Sequence, residues 1–430
     1  MFGDRMPRNV VARANVDEDD DGGGRTAMDV ELFRVIGLMR LVRPARGRTD
    51  RWYRAAVAGL VRLAFVLQGT QVVGLYFALN DFQRFANMAV LLISGLMSLY
   101  KGHVLAANAA RVWDTLRVTR FAYVTCSGRD AGRLRRTGDA LRPLLRAFYV
   151  FSYLTLAMWI SMPCFMHDRV PMAAPDGTVA EYRMTVNNLW IPVPPAVYNA
   201  PAVWAPVYAV EAFMVSANVF VWVLFDCYLI TMCFVLNAQL RTMSAAYEKL
   251  GVHGPAGVRA EKNEMKLNYY DDLIEHIKDS QRIMKKLDDF FDIVRPVVLV
   301  QIVNGSFSVV TLMFILSLLY IMGWSVVSPP FLKFSAGFIS LTMQLYIYCY
   351  AFNYIETEKC SMNFGLYCSN WTEMDLKFKK TVLLAMNLNS AHNRQMKVSP
   401  TSIINLAMFA RVMNMSYSIL PVLLNVSTGK

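Results

Sequence analysis

The sequence predicts an all-α polytopic membrane protein with seven transmembrane helices. Hydrophobic residues make up 55% of the 430 residues and charged residues only 18%, whereas a soluble domain carries roughly a quarter of charged residues. The mean hydropathy of +0.32 agrees with this. A helix needs about 20 mostly apolar residues to cross a bilayer, and stretches of that length recur along the whole chain.

Seven stretches are long and apolar enough to be spans. In chain order they are residues 55–79, 85–107, 144–165, 202–236, 296–324, 329–352 and 401–426. Residues 1–27 precede them and contain an acidic run followed by consecutive glycines, which predicts a disordered tail. Residues 28–430 are therefore the predicted membrane domain.

Basic residues predict the orientation of these spans. Lysines and arginines collect before the first span and in the loops that follow the second, fourth and sixth spans. Cytoplasmic loops carry this excess of positive charge, so the N-terminus is expected in the cytoplasm and the C-terminus outside. The net charge of +12 has the same explanation, and we expect no nucleic-acid partner.

Two cytoplasmic segments carry apolar stripes at helical spacing. The first comprises Leu267, Tyr270, Ile274, Ile277, Met284, Leu287 and Phe291, and the second Phe364, Tyr367, Trp371, Met374 and Phe378. Such faces need a partner surface, which the membrane surface could also provide. We expect anchor helices at about 240–295 and 355–398 that pack together below the bilayer and between subunits, with Tyr367, Trp371 and Phe378 as assembly residues.

The chain lacks the motifs of an enzyme. It has no nucleophile elbow, P-loop or paired histidines, and its cysteines and histidines are scattered without metal-ligand spacing. The sequence therefore predicts neither catalysis nor a bound metal or cofactor.

The C-terminal third resembles a known family. The segments "YIYCYAFNYIETEKCSMNFGLYCSNWTEMDLKFKKTVLLAMNLN" and "FARVMNMSYSILPVLLN" are similar to the signature of insect odorant receptors, which includes Tyr367, Trp371 and the terminal Ser416, Tyr417 and Ser418. Upstream, "VFVWVLFDCYLI" with Asp226 and "HIKDSQRIMKKLDDFF" extend the resemblance. Two residues depart from the family pattern. Relatives often have lysine at the position of Asn414, and Pro421 lies inside the last span.

This resemblance implies a ligand-specific subunit of a tetrameric, odorant-gated, non-selective cation channel. The subunit would work with the shared insect co-receptor in the plasma membrane of olfactory sensory neurons, since the long cytoplasmic insert of the co-receptor is absent. The alternatives are a gustatory receptor channel, a G-protein-coupled receptor and a membrane transporter. A G-protein-coupled receptor has its N-terminus outside, and the sequence lacks the repeated halves that transporters often show.

A small volatile odorant calls for an apolar and aromatic pocket with few polar groups. The outer halves of the predicted spans offer a candidate set: Ser94, Tyr153, Trp159, Tyr208, Met214, Phe307, Phe338 and Tyr346. Each of these residues could instead serve only in helix packing.

The last span carries a polar stripe. Arg411, Asn414, Ser418, Pro421 and Asn425 follow one another at intervals of three and four residues, which places them on one helical face. Polar side chains in lipid face protein or a water-filled cavity, so the stripe predicts either a packing seam or a pore lining. With the resemblance, we expect Ser418 and Asn425 to affect ion selectivity, and Pro421 and Val422 to affect gating.

Overall fold

The computed structural model describes residues 47–77, 82–119, 123, 131–165, 169–173, 178–188, 191–251, 262–391, 394–399 and 402–427. The tail predicted for residues 1–27 lies outside these ranges.

The described chain consists mainly of helices. In the first half these are α1 (Arg48–Phe77), α2 (Phe82–Ala107), α3 (Ala109–Thr115), a 3-10 turn (Leu116–Thr119), α4 (Ala131–Phe165), α5 (Pro195–Tyr198) and α6 (Pro201–Glu248). In the second half they are α7 (Lys262–Ile321), α8 (Pro329–Cys368), a 3-10 turn (Trp371–Glu373), α9 (Leu376–Ala391) and α10 (Leu406–Ser427).

The predicted fold class is confirmed at the level of a mainly helical chain with several apolar helices. Among the described residues, five helices are long and apolar enough to cross a membrane: α1, α2, α4, α6 and α7. The other two predicted spans fall in α8 and α10, which are not among these five. Seven crossings and the orientation of the termini therefore stay predictions.

The helices are longer than the predicted spans. Helix α7 has 60 residues, which at about 1.5 Å per residue is roughly 90 Å, three times the hydrocarbon thickness of a bilayer. Helices α6 and α8 have 48 and 40 residues. Most of the segments expected as anchor helices are continuations of these long helices, and α7 runs through Pro296 without a break.

Two short hairpins interrupt the helical pattern, which the sequence did not predict. Strands β1 (Arg169–Ala173) and β2 (Val179–Arg183) pair antiparallel, as do β3 (Lys397–Ser399) and β4 (Ser402–Ile403). Because Ser402 and Ile403 are in a strand, α10 begins at Leu406, later than the predicted start at 401.

Helix α6 is the centre of the fold. Its residues 223–233 and 235–240 are all buried, and it packs against α2, α4, α7 and α8. A helix that is buried on every side needs neighbours on every side, and the polar side chains within this run, such as Asp226 and Gln239, need partners on those neighbours.

The segment between α4 and α6 forms a folded cap. Its core consists of Met172, Tyr182, Tyr198 and Trp204. The Trp204 Nε1 donates to the Met184 carbonyl at 3.1 Å, and the Arg183 guanidinium lies 3.6 Å from the centre of the Trp204 ring. Burial, with Glu211 nearby, raises the pKa of Tyr198 to about 12, so this hydroxyl stays protonated at neutral pH.

Opposite the cap, α6, α7, α8 and α9 form the anchor bundle. An ion pair joins α6 to α8, with Arg241 Nε 2.7 Å from a Glu358 oxygen. Two more tie α7 to neighbouring segments, since Lys286 pairs with Asp114 of α3 and Asp292 pairs with Arg394, which follows α9. In this bundle α6 and α8 approach so closely that only glycine fits at position 365.

A side chain at Gly365 should therefore destabilise the anchor bundle. A Cβ there would lie 2.5 Å from the Ser244 carbonyl oxygen, a backbone atom that cannot rotate away. We expect Gly365→Ala to cost about 1–3 kcal/mol, as overpacking does, measured as a lower melting temperature of the detergent-purified protein. The control is Gly132→Ala, because that glycine has no atom within 4 Å of its Cβ position. Equal melting temperatures for the two variants would contradict the close helix contact.

Candidate functional site

A fully buried ion pair lies inside the helix bundle. Lys101 of α2 places its Nζ 2.7 Å from an Asp226 carboxylate oxygen of α6, and both side chains have 0% exposure. Moving two charges out of water costs several kcal/mol per ion, which their mutual attraction repays only with good geometry and further hydrogen bonds.

The surrounding side chains supply those hydrogen bonds. Tyr348 and Gln344 of α8 both donate to the Asp226 carboxylate, the tyrosine hydroxyl at 2.5 Å. Gln301 of α7 donates to Gln344 at 3.1 Å. The Lys101 ammonium also lies 3.8 Å from the centre of the Trp222 ring, an attraction that strengthens away from water. The cluster, which we call the polar junction, joins α2, α6, α7 and α8.

The opposite side of α8 faces the last helix. The Tyr346 ring meets Phe409 of α10 edge-on, with ring centres 5.4 Å apart, and stacks on Tyr350 at 6.0 Å. Tyr346 and Tyr348 are two positions apart, so one short stretch of α8 holds the polar junction on one side and α10 on the other.

A second cluster, the outer compartment, lies between α4, α6, α7 and α8 near the cap. The Tyr208 hydroxyl donates to the Ile160 carbonyl at 2.7 Å. Trp159 packs edge-on against Phe334 with ring centres 6.4 Å apart. The Cβ position of Gly337 is 3.5 Å from the Trp159 ring and 3.6 Å from Leu312, so the absence of a side chain there leaves room for the indole.

The structure brings only part of the predicted ligand set together. Trp159 and Tyr208 belong to the outer compartment, and Tyr153 lies deeper on α4, with its ring 4.6 Å from Tyr149. Met214 packs instead with Ala64 and Leu99 toward α1 and α2.

The other predicted residues are more dispersed. Phe307 is 44% exposed on α7, and Tyr346 faces α10. Ser94 and Phe338 are half-buried on α2 and α8. The eight candidates therefore do not line one common cavity.

One cavity of about 620 Å³ opens between α1 and α2. Its walls include Phe65, Leu96, Leu99 and Tyr100, with Arg62 and His103 as the ionisable groups. None of the predicted ligand residues lines it.

Helix α10 packs through part of its apolar side, while its apolar residues Met415, Tyr417 and Ile419 are exposed. Phe409 and Val412 contact the main core, and the Ser416 hydroxyl is buried and donates to the Val412 carbonyl at 2.8 Å. The predicted stripe residues Arg411, Asn414, Ser418 and Pro421 are exposed on the surface of this single chain. The side chains of Val422 and Asn425 lie outside what the structure describes.

Comparisons with known proteins decide the family. The family model described as "7tm Odorant receptor" matches residues 82–417. The chain belongs to this odorant receptor family. No curated relative matches the chain.

Solved structures have the same fold. The olfactory receptor OR5 of the insect Machilis hrabei superposes with a TM-score of 0.72 at 12% identity, covering 92% of this chain and 98% of that one. Its complex with eugenol gives a TM-score of 0.71 at 12% identity, with 92% and 98% coverage. The chain thus shares the fold of these structures, and the odorant receptor family to which it belongs is a membrane receptor family rather than an enzyme family.

Sequence reasoning missed most of the polar junction of this odorant receptor. The family resemblance points to Asp226, whereas no motif in the sequence singles out Lys101, Gln301 or Gln344. A signal was available, because an ionisable residue inside an apolar span is costly and marks a functional site with a partner. The sequence could not supply the pairing itself, since Lys101 and Asp226 lie on different helices.

Breaking the ion pair should destabilise the receptor more than removing it. Asp226→Asn leaves Lys101 buried without a counter-ion, which costs roughly 3–5 kcal/mol. The double variant Lys101→Met with Asp226→Asn should recover most of that loss, because it removes the unpaired charge and the introduced amide oxygen can still accept from Tyr348 and Gln344. Thermal melting of the purified receptor measures both.

The control for this experiment is the exposed pair of Arg169 and Glu181, whose closest atoms are 3.7 Å apart. There Glu181→Gln should change stability by no more than about 0.5 kcal/mol. A double variant as unstable as Asp226→Asn would contradict the account.

Proposed function

We propose that this chain is the odorant-binding subunit of a heteromeric, ligand-gated, non-selective cation channel. It assembles with the insect odorant co-receptor in the plasma membrane of olfactory sensory neurons. The family match favours an odorant receptor over a gustatory receptor. The observation that carries the channel proposal is the outward-facing polar stripe of α10.

The stripe supports a pore because polar side chains on a membrane helix face protein or water. Arg411, Asn414 and Ser418 are exposed on the surface of this single chain, while Phe409 and Val412 pack against the main core. A face that is polar and uncovered in one subunit suits an axis shared by several subunits. Ser418 and Asn425 would then influence ion selectivity, and Pro421 and Val422 would influence gating.

The anchor bundle supports assembly. On its surface a row of large apolar side chains is exposed: Phe364, Tyr367, Leu376, Leu383, Leu384 and Leu388. Contiguous apolar patches of this kind mark interaction sites. Among the predicted assembly residues, Tyr367 is 63% exposed and Trp371 donates its indole N–H to the Tyr367 carbonyl at 3.0 Å. Phe378 is buried within the chain, so its part in assembly is to hold α9 in place.

Ligand binding is proposed for the outer compartment, through Trp159 and Tyr208. Ligand-driven change there would reach α10 by way of α8, because α8 forms a wall of the outer compartment and contacts Phe409 through Tyr346. The polar junction holds the middle of α8 to α2, α6 and α7. An odorant that shifts α8 would thereby shift the pore helix.

The first test measures the ionic current evoked by odorants. Co-expressed with an insect odorant co-receptor, this chain should give odorant-evoked cation currents that persist when G-protein signalling is blocked. Expressed alone it should give little current. Currents abolished by the G-protein block, or a saturable flux without unitary conductance, would contradict the channel.

The second test is accessibility along α10. Single cysteines replace residues 411–425 in the co-expressed channel, and a water-soluble thiol reagent is applied from outside. We expect current modification at Ser418 and Asn414, with a period of three to four residues, because these positions face the pore. Val412 and Ser416 are matched controls, since one is packed and the other buried. Modification without helical period, or at the controls alone, would mean that the stripe is a packing seam.

A further inference from the structure

A second lysine is buried in the outer compartment, and nothing in the proposed mechanism uses it. Lys333 lies in the first turns of α8, which begins at Pro329. Its exposed fraction is 5%. The ammonium Nζ lies 4.3 Å from the centre of the Trp159 ring and 5.9 Å from that of Phe334.

This burial is unusual for the position. Lysine side chains near the end of a membrane helix normally extend their ammonium toward water, with the apolar stem along the protein. Lys333 has water within reach at the outer end of α8, yet its ammonium points inward onto an indole.

Lys101 and Lys333 form a natural comparison. Lys101 has the Asp226 carboxylate at 2.7 Å. Among the described residues, Lys333 makes no hydrogen bond or ion pair, and only the two aromatic rings face its ammonium. The described carboxylates of the outer half are engaged elsewhere. Glu211 accepts from Thr185 and from the Asn187 backbone, and Glu181 pairs with Arg169.

An ammonium offers three donors and no acceptor. Cation–π contacts satisfy its charge in part and leave its N–H groups without oxygen partners. A buried charge normally has a partner of opposite sign. An oxygen anion beside Trp159 would supply the partner that the Lys333 ammonium lacks.

We propose that Lys333 is the polar anchor of the ligand pocket and selects volatile carboxylic acids, bound as carboxylates. The carboxylate would accept from the Lys333 ammonium while the hydrocarbon part packs against Trp159 and Phe334. The inference rests on the proposed odorant-gated channel, whose ligand class it names. It makes Lys333 a specificity-determining residue, because alcohols and esters of the same skeleton lack the charge that the ammonium requires.

The test uses the full receptor co-expressed with the co-receptor. A panel of volatile carboxylic acids of different chain length is compared with the alcohol and the methyl ester of each skeleton. The wild type should respond best to acids. Lys333→Met keeps the length and the apolar stem, and should raise the half-maximal concentration for the best acid by about 10-fold or more, the effect of one lost hydrogen bond to a charged group. Responses to the uncharged analogues should stay within about 2-fold.

Two further variants make the result decisive. Lys333→Arg keeps the positive charge and should retain a preference for acids. Lys285→Met removes an exposed lysine of α7 and should leave every response unchanged. Surface labelling of each variant separates altered recognition from lost expression.

The outcomes that overturn the inference differ from those that overturn the channel. Robust odorant-evoked currents with no preference for acids, or equal loss of acid and ester responses in Lys333→Met at normal surface expression, would show that Lys333 only packs on Trp159. No evoked current from any volatile compound in a broad screen would instead reject the proposed function.

Discussion

The ion pair between Lys101 and Asp226 constrains the rest of the structure. Two opposite charges with 0% exposure are tolerable only while further hydrogen bonds satisfy the charged groups themselves. Tyr348 and Gln344 of α8 satisfy the Asp226 carboxylate, and Gln301 of α7 donates to Gln344, while the Gln301 Oε1 is buried without a hydrogen-bond partner. Four helices are therefore held at fixed heights relative to one another, because a slide of one helix by a single turn would separate a charged group from its partners.

Because of this constraint, α8 is fixed at its middle and makes a different contact at each level along its length. Its middle is fixed on one side by the polar junction, while Tyr346 contacts Phe409 of α10 on the other. Near its N-terminal end the same helix carries Lys333 over Trp159. Near its C-terminal end Gly365 brings it against Ser244 of α6. One continuous helix thus connects the proposed ligand compartment, the proposed pore helix and the anchor bundle.

The sequence and the structure agree on the helices and differ on how they end and associate. The apolar stretches identified the membrane helices because a span needs a long apolar run whatever its neighbours are. They could not locate the helix ends, since a helix such as α7 continues from lipid into a packed bundle without a local signal for its boundary. The hairpin before α10 was missed for a related reason: its pairing lies in backbone hydrogen bonds such as that from Ile404 to Met396.

For the functional site, the features that the sequence determines differ clearly from those that only the tertiary structure decides. The sequence by itself determined the membrane class, the family and the polar stripe of α10, because composition, motifs and helical period are properties of one segment at a time. Only the tertiary structure decided which side chains meet. It paired Lys101 with Asp226, turned Tyr346 toward α10, and left Lys333 facing Trp159. Such contacts depend on the rotation and height of each helix against its neighbours, which packing fixes across helices far apart in the sequence.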